Sequence, residues 1–340
     1  MKKILIVTDA WAPQVNGVIT TLQTVIGILR QQGHDITVIS PEMFKTMPLP
    51  VYPEIRLALF PKRKMKRLMD ELCPDYVHIA TEGPLGWAAR SVCLSRNWRF
   101  STSYHTKFPE YAKHTIGIPL SLGYSVVKKF HKTSSAMMVA TNTLANDLAA
   151  RGFENLVTWT RGVDTDLFNP GEKKAITLPG PVMVYVGRVS VEKNIKAFLD
   201  LDIAGSKLVV GGGPQLNSLR SAYPDVTFTG PKFGAELAAH YVSGDVFVFP
   251  SQTDTFGLVM LEAMACGLPV AAYPVTGPLD VLQNSKAGFM DDDLAIAVEK
   301  ALRADKKIAR QHAQGFSWSA CADIFMTNLV SRHAPAHSVM

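Results

Sequence analysis

The chain has 340 residues, of which 47% are hydrophobic and 19% charged, with a formal net charge of +6. At about 150 residues per domain this length predicts two domains, and the composition excludes a disordered, collagenous or low-complexity protein. The longest apolar stretches fall far short of the roughly 20 residues of a membrane span, and the first residues lack the apolar region of a signal peptide.

The cysteines and the charge distribution indicate a compartment and a class of partner. The four cysteines are scattered, without the spacing of a zinc site or a disulfide framework, which favours the reducing cytoplasm. The net charge is +8 over residues 1–164 and −2 over residues 165–340. We therefore expect only the first half of the chain to meet an anionic surface.

Strand and helix patterns alternate along the first half. A short apolar strand is predicted over residues 2–9, a helix over 18–32, and further strands over 34–40 and 76–80. Strand, helix and strand at this spacing predict βαβ crossovers and a parallel sheet.

The second half repeats this rhythm after a polar, proline-containing linker at 169–181. Strands are predicted at 181–187, 207–211, 226–230, 245–250 and 268–273, and helices at 194–201, 235–241 and 258–266. The prediction is an α/β protein with two Rossmann-like, doubly wound parallel-sheet domains. Ligands of this fold class bind at the carboxyl ends of the strands, here in a cleft between the domains.

The fingerprints of dinucleotide and P-loop enzymes are missing from the sequence. Gly211 and Gly213 supply the first two glycines of GxGxxG, but Leu216 occupies the third position, and no GxxxxGK[ST] occurs. A dehydrogenase or P-loop enzyme is therefore not expected.

A first candidate site is the segment GRVSVEKN, which leaves a predicted strand and enters a helix. Arg188 and Lys193 flank this loop and could converge on the oxygens of a diphosphate leaving group. The alternative is two solvated surface cations. Because a helix dipole disfavours cations at its N-terminus unless an anion is bound there, the pattern favours phosphate binding.

A second candidate site is the segment PSQTDTFG, followed by a helix. The backbone N–H groups of Thr255, Phe256 and Gly257 are suited to a diphosphate, and Glu262 is suited to ribose hydroxyls. Taken alone, Asp254 is best interpreted as the N-cap of that helix.

The order GRxxxEKN, GxGP, FTG and PSxxDTFGxxxLEAMACGLPV resembles the retaining glycosyltransferases of family 4, which have the GT-B fold. The resemblance covers nearly the whole chain and includes DAWAPQVNGV, TEGPLG, YHT, RGVD and the closing FSW. It is strongest with the subgroup of sulfoquinovosyl-diacylglycerol synthase, bacterial glycolipid synthases and related mannosyltransferases. It implies an acceptor-binding domain at 1–168, a nucleotide-sugar-binding domain at 169–315, and a helix at 316–340 that crosses back to the first domain.

The resemblance also implies roles for particular residues. Arg188 and Lys193 would hold the donor diphosphate, Glu262 the ribose, and His105 would touch the transferred sugar. The implied catalytic residues are Arg188, Lys193, His105 and Asp254. The implied nucleotide-sugar-binding residues are Gly17, Gly187, Arg188, Lys193, Gly230, Pro231, Lys232, Asp254, Thr255, Phe256, Gly257 and Glu262. Gly17 would let the backbone approach donor or acceptor, and the loop 230–232 would contact the base.

Three acidic features bear on sugar choice and metal use. The family's E-x7-E pair is D-x7-E here, so Asp254 is one methylene shorter than the usual glutamate, at a position that could tune sugar identity. The DxD-like 164–166 is interpreted as structural, and the run 291–293 as a solvated loop and helix start. Since Arg188 and Lys193 offset the leaving-group charge, we expect neither a metal nor a cofactor.

A basic run in the first half suggests the acceptor. Its cations are Lys62, Arg63, Lys64, Lys66 and Arg67, with Met65, Leu68 and Met69 interleaved, and a second run lies at 128–132. Together they would fit an anionic lipid surface, whereas the alternatives are a solvated basic helix or a nucleic-acid patch. The subgroup resemblance favours a membrane lipid such as diacylglycerol, with Glu82 and Tyr104 in the acceptor site.

The sequence thus predicts a cytoplasmic enzyme, peripheral on the inner face of the membrane. It would move a hexose from a nucleotide-sugar, UDP-glucose or UDP-glucuronate being favoured, to a lipid, with no nucleic-acid partner. A GDP-mannose-dependent mannosyltransferase, a nucleotide-sugar epimerase of the same architecture and a non-catalytic nucleic-acid-binding module remain as alternatives.

Overall fold

The structure is a computed structural model that describes residues 1–14, 16–49, 55–171, 174–283 and 285–333, without the side chains of residues 111 and 114–116. The chain divides into two compact units, Met1–Thr160 with Ser319–Met340, and Arg161–Trp318. Each unit has a six-stranded parallel sheet, which confirms the predicted α/β class with two doubly wound domains. No helix in the described part of the chain is long and apolar enough to cross a membrane.

The first unit alternates strands and helices in chain order. Its strands are β1 (Lys3–Val7), β2 (Asp35–Ile39), β3 (Thr46–Pro48), β4 (Arg56–Ala58), β5 (Tyr76–Ile79), β6 (Ser101–Tyr104), β7 (Ala136–Val139) and β8 (Leu156–Thr158). Its helices are α1 (Gly17–Gln31), α2 (Lys62–Leu72), α3 (Pro84–Ser95), α4 (Phe108–Ile116), α5 (Leu120–His131) and α6 (Asn142–Ala150). The main sheet has the order β2-β1-β5-β6-β7-β8, and β3 pairs with β4 in a separate antiparallel hairpin.

Local sequence accounts for the first βαβ crossover. The run Ile4–Val7 is at most 1% exposed because a parallel strand is covered on both faces. Asn16 caps α1 by accepting hydrogen bonds from the N–H groups of Val18 and Ile19. The buried face of α1 includes Leu22 and Leu29, at the helical spacing that the sequence shows.

The second unit repeats the architecture. Its strands are β9 (Val182–Val186), β10 (Ser206–Val210), β11 (Thr227–Gly230), β12 (Val246–Phe249), β13 (Val270–Ala272) and β14 (Gly288–Met290). Its helices are α7 (Ile195–Leu199), α8 (Leu216–Ala222), α9 (Gly234–Val242), α10 (Leu258–Ala265), α11 (Pro278–Leu282), α12 (Leu294–Leu302) and α13 (Lys306–Gln314), and α14 (Trp318–Thr327) follows. The strand order is β11-β10-β9-β12-β13-β14, so β9 and β12 are central.

Arg310 of α13 ties the segment after Thr160 to the second unit. Its guanidinium donates to the backbone carbonyls of Thr165, Phe168 and Ala265, at 3.0, 2.6 and 2.7 Å. These hydrogen bonds explain why residues 161–168, which the sequence grouped with the first domain, cluster with the second unit.

Most of the last helix, α14, belongs to the first unit. The indole N–H of Trp159 donates to the carbonyl of Cys321 at 2.9 Å, and the Cys321 thiol contacts the carbonyl of Thr160 at 3.1 Å. Trp159 and Phe325 also pack ring to ring, with centroids 4.9 Å apart. Helix α14 is thereby fixed against the first sheet, beside β8.

Candidate active site

The loop after β9 carries Arg188 and Lys193 at the carboxyl edge of the second sheet. The side chains are 34% and 23% exposed, and Arg188 Nε lies 4.0 Å from Glu192 Oε1. Tyr185 supports the loop by donating its hydroxyl to the Arg188 carbonyl at 2.7 Å. Both side chains are only partly exposed and lie near carboxylates, so neither is a fully solvated surface cation.

Asp254 follows β12 and meets Lys193 directly. Lys193 Nζ lies 2.5 Å from Asp254 Oδ1, and both side chains are 23% exposed. The interpretation of Asp254 as an N-cap is wrong, because Gly257 occupies the cap of α10 and no side chain caps that helix. The side chain instead turns toward the β9 loop, where it has a cationic partner.

The segment ahead of α10 contains the backbone N–H groups that the sequence analysis assigned to a diphosphate. Within the described residues, no protein acceptor takes a hydrogen bond from the N–H of Phe256 or Gly257. Phe256 itself is buried, 6.4 Å from the ring of Phe316, so only its backbone is available to a ligand. The start of α10 therefore offers N–H donors beside the Lys193–Asp254 pair.

Glu262 lies one to two turns into α10, against α9. The hydroxyl of Tyr241 donates to Glu262 Oε2 at 2.9 Å, and burial raises the pKa of this carboxyl to about 7. One carboxyl oxygen is thus engaged, and the other is the one suited to a hydroxyl ligand.

Glycine turns bring the neighbouring loops together at the same edge. A Cβ on Gly211 would lie 1.9 Å from the carbonyl oxygen of Gly187, so only glycine fits there. Gly211 also donates its N–H to the carbonyl of Gly230 at 3.0 Å. Pro231 and Lys232 follow, with Lys232 paired to Glu236 one turn along α9. The predicted base-binding loop thus adjoins the turn after β10.

The first unit carries the predicted nucleotide-sugar-binding residue Gly17, the predicted catalytic residue His105 and the predicted acceptor residue Tyr104. Gly17 is the first residue of α1, after β1, and His105 follows β6, its ring 5.8 Å from Trp159. Tyr104 is 0% exposed inside the core, and burial raises its pKa. The predicted place of Tyr104 in the acceptor site therefore needs correction, because a strand residue facing the core cannot touch an acceptor.

Glu82 is also held by the protein rather than presented to solvent. Its side chain is 8% exposed, with Oε1 3.1 Å from Nε2 of His131. The other ring nitrogen of His131 lies 2.9 Å from the hydroxyl of Thr102. Glu82 thus connects the loop after β5 to the end of α5, and the structure supports a positioning role more directly than acceptor contact.

Asp9 is buried, and the sequence analysis identified it only as the first residue of the motif DAWAPQVNGV. Its carboxylate accepts hydrogen bonds from the N–H groups of Leu85 and Gly86, at 2.8 and 3.3 Å, and from the Thr81 hydroxyl at 2.9 Å. Burial raises its pKa. The carboxylate holds the N-terminus of α3 to the end of β1, a link that the paired motifs DAWAP and TEGPLG could have suggested.

The basic run forms α2, with its cations outward. Lys62, Arg63, Lys64, Lys66 and Arg67 are exposed. Met65 and Met69 are 0% exposed in the core, and Leu68 is partly buried against it, so the apolar residues interleaved with the cations face the core and not the surface. The second run behaves alike, since Phe130 is 0% exposed. Helical periodicity explains both results, because residues four apart share the inner face.

The two acidic runs are structural, as predicted. Asp164 Oδ1 accepts the N–H groups of Asp166 and Leu167 in a tight turn. Asp293 caps α12 through the N–H of Ala295, and Asp291 pairs with Lys300 at 2.9 Å. In the described ranges, no three His, Cys, Asp or Glu side chains are grouped to hold a metal ion.

Two doubly wound parallel-sheet units are the architecture of the GT-B glycosyltransferases. Family models agree: "Glycosyltransferase Family 4" matches residues 15–167 and "Glycosyl transferases group 1" matches residues 180–304. The chain belongs to the family 4 glycosyltransferases.

Curated relatives and solved structures extend this result. The chain is 29% identical to sulfoquinovosyl transferase SQD2 of Arabidopsis thaliana, over 90% of this chain and 69% of that protein. It is 28% identical to a GDP-mannose-dependent alpha-mannosyltransferase of Mycobacterium tuberculosis, over 94% of each. Among solved structures, sucrose-phosphate synthase of Thermosynechococcus elongatus superposes with a TM-score of 0.74 at 20% identity, covering 96% of this chain and 98% of that one. That likeness shows the shared fold.

Proposed function

We propose that this glycosyltransferase moves a hexose from a nucleotide-sugar to a membrane lipid with retention of the anomeric configuration. The observation that carries the proposal is the convergence of Lys193 and Asp254, with Arg188 nearby, beside the N–H groups that precede α10. A nucleoside diphosphate-hexose needs cations at its phosphates and a hydrogen-bond acceptor at its sugar hydroxyls, and this edge supplies both.

Each step of the transfer has a residue to support it. Arg188 and Lys193 stabilise the charge that develops on the diphosphate as its bond to the anomeric carbon breaks. The acceptor hydroxyl forms the new bond on the same face, and its proton passes to the departing phosphate oxygen. Asp254 accepts from the sugar hydroxyls and Glu262 from the ribose, while His105 contacts the sugar. The two cations supply the compensating charge in this proposal, without a metal.

The proposed lipid acceptor is supported by the positive charge of α2 and by the subgroup resemblance of the sequence. Five exposed cations of α2 suit an anionic membrane surface, and this supports the proposed location at the inner face of the cytoplasmic membrane. The relative named sulfoquinovosyl transferase SQD2 supports a sugar-transferring activity, and the GDP-mannose-dependent mannosyltransferase relatives support GDP-mannose as the second candidate donor. The UDP-hexose donor and the diacylglycerol acceptor of the proposal come from the subgroup resemblance of the sequence. Nucleic acid is not among the proposed partners.

The test is donor turnover by the full chain with a panel of UDP- and GDP-sugars, with and without diacylglycerol in anionic vesicles. We expect nucleotide release together with a glycolipid of matching mass for one donor. Conversion of the donor to another sugar without any acceptor would favour the epimerase alternative. Absence of turnover with every donor, in protein that binds no nucleoside diphosphate, would overturn the proposal.

A further inference from the structure

Three helices of the first unit form one layer that joins its two basic segments. Met65 and Met69 of α2 pack with Ala89 of α3 and Phe130 of α5 in one core cluster. Arg90 of α3 donates to the carbonyl of Phe130 at 2.9 Å and also to that of Lys129. The basic runs at 62–67 and 128–132 therefore belong to the same face of the unit.

An exposed aromatic side chain stands at one end of this layer. Phe60, just ahead of α2, is 95% exposed, and Leu59 beside it is 40% exposed. Phe60 has a left-handed backbone conformation, with φ +46°, which is uncommon for a bulky residue. A phenylalanine that contributes nothing to the core and costs backbone strain indicates a partner outside the unit.

Phe60 lies at the same edge of the first sheet as His105. Helix α2 ends at Leu72, and β5 begins after three intervening residues, at the amino edge of the parallel sheet. Met65 and Met69 pack α2 against that sheet. The N-terminus of α2 is therefore directed toward the opposite, carboxyl edge of the sheet. His105, proposed to contact the transferred sugar, follows β6 at that same edge, so Phe60 lies on the side of the unit where sugar transfer is proposed.

The charges around Phe60 match an anionic lipid surface. The first turn of α2 carries Lys62, Arg63 and Lys64 and no acidic residue. The nearest acids along the helix, Asp70 and Glu71, are paired with Arg96 and Arg67. Lys64 donates to the carbonyl of Met43, and the described part of the chain shows no acidic partner for Lys62, Arg63 or Lys64. An aromatic and an aliphatic side chain bordered by these positive charges is the combination that suits the boundary of headgroups and acyl chains.

We propose that Phe60 and Leu59 insert into the interfacial region of an anionic bilayer, while the cations of α2 rest on its headgroups. This docking brings the carboxyl edge of the first sheet to the membrane, where a lipid acceptor is available. The inference rests on the proposed lipid acceptor and adds an apolar anchor to a surface that the sequence defined by charge alone.

Vesicle binding without nucleotide tests the anchor. We expect the full chain to partition onto phosphatidylglycerol vesicles and F60A to bind about tenfold more weakly, the effect of removing one inserted aromatic ring. L94A is the matched control, because Leu94 is 45% exposed near the C-terminus of α3, at the other edge of the sheet. At 0.5 M salt the charge contribution is screened, so the difference between F60A and the unaltered chain should persist.

A second variant measures insertion directly. F60W should be quenched by lipids brominated on their acyl chains beyond the quenching of the native tryptophans. Equal binding of F60A and the unaltered chain, or no added quenching in F60W, would overturn the anchor. So would self-association of the unaltered chain that F60A abolishes, since the patch would then meet a second copy. Phe60-dependent vesicle binding without glycolipid product would instead refute only the proposed function.

Discussion

The ammonium of Lys193 lies 2.5 Å from the carboxylate of Asp254, so the two groups proposed to meet phosphate and sugar neutralise each other when no donor is bound. A donor must exchange this ion pair for its own contacts, with phosphate on Lys193 and sugar hydroxyls on Asp254. A nucleoside diphosphate without the sugar offers nothing to Asp254 and leaves that carboxylate close to an anion. The pair should therefore favour the intact donor over the released nucleotide.

The D254N variant tests this exchange. We expect a three- to tenfold tighter Kd for the nucleoside diphosphate alone, since a partly exposed ion pair no longer competes for Lys193. Transfer should slow, because asparagine accepts more weakly from sugar hydroxyls. Calorimetric titration with UDP and GDP measures the first effect. D291N, which removes the exposed pair with Lys300, is the control and should bind as the unaltered chain does. Weaker nucleotide binding by D254N would contradict the exchange.

Removal of either donor cation should act mainly on kcat. R188A and K193A each lose a charge that stabilises the departing diphosphate, and we expect kcat to fall by about 10²-fold or more. K196A is the matched control, because Lys196 is an exposed cation on α7, just beyond the loop. Steady-state assays with the active donor measure the effect. Full activity of R188A would contradict the proposed role of Arg188 in stabilising the departing diphosphate.

Glu262 should make stability depend on pH. Burial raises its pKa from 4.5 to about 7, so between these values the folded chain holds a proton that the unfolded chain has released. Stability from this group is therefore complete below pH 4.5 and is lost as pH rises through 7, by about 3 kcal/mol at most.

The E262Q variant isolates this effect, because glutamine does not titrate. The Tm of E262Q minus that of the unaltered chain should increase from pH 5 to about pH 7 and level off above it. Asp9, whose pKa is also raised, is present in both proteins and cancels in the difference. Y241F removes the hydrogen bond that lowers the pKa of Glu262, so it should shift the transition to higher pH. A pH-independent Tm difference for E262Q would contradict the assignment.

The parallel strands were predictable because they are short, continuous apolar runs between polar turns. Residues 245–250, for example, contain β12, Val246–Phe249. The ion pair of Lys193 and Asp254 was not predictable from the sequence. Its members are 61 positions apart, and only the strand order makes β9 and β12 neighbours. Tyr104 was misplaced for a related reason, because a motif does not indicate which side chains of a strand face the core.

Gly162 permits a close approach of two backbone segments, and we expect its replacement to lower the stability of the fold. A Cβ at this position would lie 2.3 Å from the backbone nitrogen of Trp318, and the next residue, Val163, donates its N–H to the carbonyl of Phe316 at 3.1 Å. Because a backbone cannot rotate away as a side chain can, G162A should cost about 1–3 kcal/mol.

Gly27 provides the opposite case, since a Cβ there meets nothing within 4 Å in the exposed face of α1. G27A should therefore stabilise the chain by about 0.5–1 kcal/mol through helix propensity. Thermal unfolding of both variants measures the contrast. If G162A unfolded at the same temperature as the unaltered chain, the two backbone segments at Gly162 and Trp318 would have to separate freely, and their contact would not contribute to the stability of the second unit.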